Sequence, residues 1–364
     1  MNIAILQTPT FVLDLDYHGG IERVELIQLA GLRKRGHRVK LFVPGVIGTG
    51  QGIDVIRDWG WRSRIGKWKY YLDFILRTRG FDIRWGHYTP LLALLAPRGS
   101  VVHFHGLSVS ELALYSHPWA RRRYHRGHYV FCAKWVREEF GKLYPDIPKD
   151  HLHLLYNGVD VDRIKPADRN YHQGKLHICW YGLWEEEKGI YQLLEAIELL
   201  EKRRQDFVVE IGGAADYEGW TPQSMETDKR VRAWGQRLRT VNLVGRISYQ
   251  LLSEFLGRQH LGIFPSIYRD PFPLVPIEMM AAGLPVVAYN YGGPAEAIRD
   301  GITGFLVENG RPDLLADRIS WFLDNRDSAA EMGMRARRQV EDNFSLEKHL
   351  DGFLRICHLV RKQP

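Results

Sequence analysis

Asp270 and Glu278 share one run, Gly262-Ile-Phe-Pro-Ser-Ile-Tyr-Arg-Asp-Pro-Phe-Pro-Leu-Val-Pro-Ile-Glu-Met-Met-Ala-Ala-Gly-Leu-Pro-Val-Val-Ala288. Leu261 to Phe264 is a short apolar stretch closed by Pro265, the pattern of a strand covered on both faces. Pro276 suits a first helical position and Gly283 a helix end, and Pro285 to Ala288 returns as a strand. This reading puts Glu278 in the first helical turn, beside backbone N–H groups that favour anions. A carboxylate there can accept two hydrogen bonds from a vicinal diol such as a ribose 2′,3′ pair, while the N–H groups face phosphate. A lone Glu at a helix start also has a plainer use, complementing the helix dipole.

Four further groups have chemical potential. Gly19-Gly20 follows the first strand, where missing Cβ atoms let backbone approach a phosphate, or simply make a tight turn. His105 ends the strand Val101-Val-His-Phe-His105 and precedes Gly106; a strand histidine also commonly serves as a satisfied core residue. His103 and His105 point the same way along that strand, and His151 and His153 form a similar pair. No Cys or carboxylate cluster with ligand spacing accompanies either pair, so no metal site and no cofactor are expected.

These residues need a scaffold of parallel strands. Asn2 to Gln7 reads as a buried strand, Ile21 to Arg35 as an amphipathic helix capped by Gly36, and Val39 to Val43 as a returning strand. That βαβ unit puts Gly19-Gly20 at a strand end, where open parallel sheets bind ligands. His177 to Tyr181 opens a second domain, followed by a helix from Gly189 to Glu201 with Leu193, Leu194, Ile197 and Leu200 on one face. Val208 to Gly213 and Val241 to Gly245 are further strands ending in glycine, and the tail from Ser345 is a final helix. The predicted organisation is α/β, with domains over residues 1–168 and 169–344 and a helix over 345–364.

The run around Asp270 and Glu278 resembles the signature of retaining glycosyltransferases of family 4, which have the GT-B fold. Asp270, Phe272, Pro273 and Glu278 occupy its motif positions, followed by Met280, Ala281, Gly283, Pro285, Val286, Val287 and Gly292-Gly293. The likeness extends through His18-Gly19-Gly20-Ile21-Glu22-Arg23, Phe104-His105-Gly106, Asn157-Gly158-Val159-Asp160, Glu187-Lys188-Gly189 and Leu243-Val244-Gly245 to the turn Gly301–Val307. Three positions depart from it: Asp270 stands for the first motif Glu, Pro273 for the motif Gly, and Leu183 follows Gly182 where an Arg is usual.

The resemblance implies two Rossmann-like domains facing across a cleft, the second binding a nucleotide sugar and the first an acceptor, with the final helix crossing back onto the first domain. Base contacts fall to Gly245, Arg246 and Ile247, ribose contacts to Glu278, and diphosphate contacts to Gly19, Gly20 and Lys188. Sugar hydroxyls fall to Asp270 and the backbone around Phe272, Leu274 and Val275. The acceptor side falls to His105, Glu22 and Arg23, with His105, Asp270 and Lys188 as catalytic candidates. Asp14-Leu15-Asp16 matches the Mg²⁺ motif of the other large glycosyltransferase fold, but it lies in a loop before Gly19 and is read as loop. The leaving phosphate charge is then met by Lys188 and backbone N–H groups. The expected reaction is retaining, metal-independent hexosyl transfer to a lipid-linked or cell-surface glycan, with a mild preference for a UDP donor. A nucleotide-sugar 2-epimerase and a non-catalytic nucleotide-sugar-binding protein are the alternatives.

Composition bounds the setting. The chain of 364 residues exceeds the usual single-core size. Residues 1–165 hold 25 Lys and Arg against 15 Asp and Glu, and the remainder 25 against 28, so the first domain is the basic one. No nucleic-acid-binding module accompanies that charge; a membrane surface or an anionic acceptor suits it better. Trp59 to Arg79 mixes aromatic residues with six basic residues and one acid, which suits a helix in a headgroup layer or one covering the domain core. Met1 to Gln7 is expected as a strand and not a secretion leader, and the three separated cysteines suit a reduced compartment. The expected location is therefore cytoplasmic, with peripheral contact at the inner face of the cell membrane.

Overall fold

The computed structural model describes residues 1–8, 13–14, 20–47, 53–56, 64–96, 99–107, 118–215 and 221–362. The chain divides into two compact units, Met1–Gly158 with Leu346–Pro364, and Val159–Ser345.

The first unit contains strands β1 (Asn2–Leu6), β2 (Leu13–Asp14), β3 (Arg38–Val43), β4 (Val46–Ile47), β5 (Ile53–Val55), β6 (Ile83–His87), β7 (Ser100–Phe104), β8 (His128–Phe131) and β9 (Leu152–Leu154). Seven of them form one sheet in the order β5-β3-β1-β6-β7-β8-β9, with every pairing parallel. The helices are α1 (Gly20–Lys34), α2 (Arg64–Arg77), α3 (Leu91–Leu95), α4 (Pro118–Tyr124) and α5 (Lys134–Leu143). A parallel sheet needs helices on both faces, which is why β6, β7 and β8 are buried almost throughout.

Part of that cover comes from the chain's far end. The C-terminal helix, Leu346–Lys362, places Leu350, Phe353, Ile356 and Val360 in the core of this unit. The Phe353 ring stacks on Trp85 of β6 with centroids 3.9 Å apart. Helix α2 buries Tyr70, Tyr71 and Phe74 but leaves Ile65, Leu72 and Leu76 exposed, so its outer face is partly apolar as well as basic.

The second unit has strands β10 (Leu176–Leu183), β11 (Phe207–Ala214), β12 (Val241–Gly245), β13 (Leu261–Phe264), β14 (Val286–Tyr289) and β15 (Gly304–Val307). Their order is β12-β11-β10-β13-β14-β15, again all parallel. Chain order reverses between β10 and β13, the doubly wound arrangement in which ligands lie beyond the carboxyl ends of the strands at the reversal. The helices are α6 (Ile190–Glu201), α7 (Pro222–Gly235), α8 (Leu252–Gly257), α9 (Leu274–Ala281), α10 (Pro294–Ala297), α11 (Pro312–Asp324) and α12 (Arg326–Asn343).

One sequence expectation is corrected. Helix α9 starts at Leu274 with Pro273 as its N-cap, so Pro276 is its third residue and Glu278 its fifth. Proline is tolerated throughout a first turn because those N–H groups have no intrahelical acceptor, so Pro276 did not mark the start. Glu278 therefore lies beyond the free N–H groups of the helix end. Its side chain is held by tertiary packing.

Candidate functional site

In the second unit Lys188, Asp270 and Glu278 lie by the carboxyl ends of β10 and β13, while Gly245 ends β12, two strands from β10. The chain leaves β10 through a short 3₁₀ turn, Glu186–Lys188, which ends at Gly189 with φ 79°. A Cβ on Gly189 would overlap the carbonyl oxygen of Pro265, so only glycine lets this turn press against the exit of β13. The Glu187 carbonyl accepts from the N–H groups of Ile267 and Tyr268, both at 3.0 Å, which ties the two loops together.

That contact brings Lys188 beside Asp270, with Nζ 2.8 Å from Oδ1. Ser266 donates from Oγ to the other carboxylate oxygen at 2.8 Å. The Lys188 ammonium also lies over the Tyr268 ring, 5.2 Å from its centroid. The Gly292-Gly293 turn packs against the Asp270 segment from the other side, and Gly293 N–H donates to the Asp270 carbonyl at 2.7 Å. Two residues from separate loops thus form a partly buried ion pair at the sheet's reversal point. A lysine ammonium has three N–H donors, so pairing with one carboxylate oxygen leaves capacity for phosphate oxygens.

Glu278 is fully buried, and the Tyr181 hydroxyl at the end of β10 donates to its Oε2 at 2.8 Å. Phe272 and Leu274 are buried and Val275 half-buried, with the Phe272 ring 5.2 Å from that of Phe344. Gly245 ends β12 at φ 74°, Arg246 is exposed, and Ile247 packs over Gly212 of β11. Neither Tyr181 nor Ser266 is legible as a site residue from sequence. A tyrosine within an apolar strand and a serine after a proline carry no distinguishing local pattern.

The first unit gathers histidines. His87 ends β6 and His105 follows β7, and their Nδ1 and Nε2 atoms are 2.7 Å apart. His103 joins them, with ligand-capable nitrogens of all three within 4.8 Å of one another. Both ring nitrogens of His103 are buried without a hydrogen-bond partner among the described residues, and its ring sits edge-on to Trp85. Burial and the neighbouring imidazoles hold His87 and His103 well below the ordinary histidine pKa, and burial beside His349 takes His105 down to about 3. All three are neutral at pH 7. Sequence paired His103 with His105, but His87 comes from another strand and could enter only through sheet register.

Gly20 opens α1 and is exposed, Glu22 is buried and Arg23 half-buried. Glu25, one turn from Glu22, is fully buried, and desolvation together with Glu22 raises its pKa well above the carboxylate range. Gly19 and Asp16 lie outside the described residues.

A family model described as "Glycosyl transferases group 1" matches residues 162–339, and one described as "Glycosyltransferase Family 4" matches residues 18–163. Among curated proteins, the glycogen synthase of Mycobacterium tuberculosis is 27% identical over 216 residues, covering 59% of this chain and 50% of that protein. The chain spans about half the length of the first curated relatives it matches. Among solved structures, a glycosyltransferase from Rickettsia africae aligns over 100% of both chains at 21% identity with a TM-score of 0.79. Anabaena Alr3699/HepE, crystallised with UDP, aligns over 99% of this chain and 100% of its own at 17% identity and a TM-score of 0.77. The chain belongs to the group 1, family 4 glycosyltransferases and has their GT-B fold.

Proposed function

We propose that this protein transfers a hexosyl unit from a nucleoside diphosphate sugar to a glycan or lipid-linked acceptor, with retained anomeric configuration and without a metal ion. The observation that carries the reading is the Lys188–Asp270 pair at the reversal point of the second sheet, with buried Glu278 on the following helix. A donor diphosphate there would meet the Lys188 ammonium. Glu278 would accept from the ribose hydroxyls, and Gly245, Arg246 and Ile247 would border the base. Asp270 and the backbone of Phe272, Leu274 and Val275 would hold the sugar hydroxyls. Positive charge and N–H dipoles fixed before reaction stabilise the departing phosphate without reorganisation. A UDP donor is favoured by the likeness to Anabaena Alr3699/HepE, whose structure contains UDP.

The acceptor side is assigned to the first unit, with His105, Glu22 and Arg23. The exposed Ile65, Leu72 and Leu76 on basic helix α2 favour peripheral contact with an anionic membrane, which suits a lipid-linked acceptor. No helix among the described residues is long and apolar enough to cross a bilayer.

The test is thermal stability with nucleotide sugars. A ligand binding only the native state at one hundred times its Kd adds about 2.7 kcal/mol. UDP sugars are expected to raise Tm, and Lys188→Ala to remove most of the shift caused by UDP while leaving that caused by uridine. Equal shifts by UDP in both proteins would remove Lys188 from the diphosphate site. Conversion of the donor to an altered sugar without an acceptor would instead identify an epimerase.

A further inference from the structure

The histidines of the first unit continue into a hydrogen-bonded row that reaches the C-terminal helix. His349 Nδ1 lies 2.7 Å from the Tyr156 carbonyl oxygen, and its Nε2 lies 2.9 Å from Gln28 Nε2. Gln28 Oε1 lies 2.9 Å from His87 Nε2, and His87 Nδ1 lies 2.7 Å from His105 Nε2. Gln28 and His87 are fully buried, and His349 nearly so.

One end fixes the direction of the whole row. A carbonyl oxygen can only accept, so His349 Nδ1 carries a proton. Burial lowers the His349 pKa to about 4, so the ring is neutral and its Nε2 must accept. Gln28 then donates from Nε2 and accepts at Oε1, which requires the proton of His87 on Nε2. His87 Nδ1 is left as an acceptor and takes the N–H of His105 Nε2. His105 therefore has its proton on Nε2 and a lone pair on Nδ1. Reversing the row would require a buried imidazolium at His349.

We propose that Gln28 and His349 are positioning residues that hold His105 in the Nε2–H tautomer, so that its Nδ1 presents a fixed acceptor to a sugar hydroxyl. His105 itself is half-buried. Among the described residues its Nδ1 has no hydrogen-bond partner. The substrate clause rests on the transferase reading, whereas the tautomer does not. A transition metal shared by His87, His103 and His105 is the competing use of this cluster. It needs a free lone pair from each ring aimed at the ion, whereas the His87 Nδ1 lone pair is already taken by the His105 N–H. The row does not account for the two unpartnered nitrogens of His103.

The experiment is nitrogen NMR of the ligand-free, full-length protein with ¹⁵N-labelled histidine at pH 7, with His105 assigned by the signals missing from His105→Asn. The expected result is a protonated Nε2 and an unprotonated Nδ1. In Gln28→Leu and His349→Leu the single tautomer should give way to a mixture, and kcat for transfer should fall at least tenfold with the donor KM within twofold. A proton on His105 Nδ1 in the wild type overturns the proposal, and that measurement needs no variant to fold. So does an unchanged tautomer in both folded variants, or one equivalent of bound zinc that shifts the His87 and His105 signals. A correct tautomer in a protein that transfers no sugar would retain the positioning row and refute the enzyme reading instead.

Discussion

Glu278 shows how a single side chain can be committed to two tasks. Its carboxylate is fully buried, accepts from Tyr181 at 2.8 Å and, in the proposed complex, also accepts from a ribose. The consequence is a difference between two substitutions. Glu278→Gln keeps an oxygen facing the Tyr181 hydroxyl but removes the charge and one acceptor. Its Tm should stay within a few degrees of wild type while kcat/KM for the donor falls about a hundredfold, the size of two lost hydrogen bonds to a charged group. Glu278→Ala also orphans the tyrosine hydroxyl, which costs about 1–3 kcal/mol of stability. Urea denaturation and steady-state kinetics on both variants separate the tasks. Near-native turnover by Glu278→Gln would exclude the ribose role.

The turn between β10 and α6 places Lys188, and Gly189 is what allows that turn. Its φ of 79° disfavours any side chain, and the Pro265 carbonyl occupies the space a Cβ would take. Gly301 has a similar φ of 71° but open space around it. Gly301→Ala should therefore cost about 1 kcal/mol through backbone strain alone. Gly189→Ala should cost about 2–4 kcal/mol, because the loops must also separate, and should raise the donor KM by moving Lys188 from Asp270. Comparable losses for the two variants, measured by chemical denaturation, would mean that the contact with Pro265 relaxes freely. Helix α2 has its own test. Its outer face, with Ile65, Leu72 and Leu76, should sediment the protein with anionic vesicles at low salt, and Leu72→Glu with Leu76→Glu should abolish it. Equal binding to neutral vesicles, or none, would leave α2 as a helix that only covers the core.

Acid should weaken the molecule as a whole through histidines buried in neutral form. His349 is nearly fully buried, with a folded pKa of about 4 against an ordinary value of 6.5. Below pH 6.5 the unfolded chain takes up a proton that the folded chain refuses, so unfolding is favoured as pH falls. The stabilisation is complete above pH 6.5, declines below it, and is gone once pH passes the folded value near 4. At about 1.36 kcal/mol per pKa unit, His349 alone accounts for roughly 3 kcal/mol across that window. His87, His103 and His105, with His153 and His260, are lowered by burial too and act in the same direction. Urea unfolding at pH 7, 5.5 and 4.5 should show this decline, and His349→Leu should make it less steep, the other buried histidines supplying the rest, despite lower stability at pH 7. An identical slope in that variant would remove His349 from the acid response.

Leu261–Phe264 is legible to the residue, because burial on both faces forces an unbroken apolar run, and β10 and β14 beside it are legible within a few residues of their ends, whereas strands such as β6, β8 and β9 are not marked by such a run. The run holding Asp270 and Glu278 was legible too, since its prolines and glycines punctuate a strand, a helix and a second strand in fixed order. The start of α9 was misread, because a proline fits any position of a first turn. Partnerships between distant segments lay beyond local pattern. Lys188 meets Asp270, and Tyr181 meets Glu278, only because β10 and β13 are sheet neighbours at the reversal of strand order. His349 reaches Gln28 across 321 positions because the last helix packs on the first unit. Local sequence dictates period, caps and turns through interactions spanning a few residues. Which side chains share a hydrogen bond depends on strand order and helix packing, and these are set by burial summed over a whole unit.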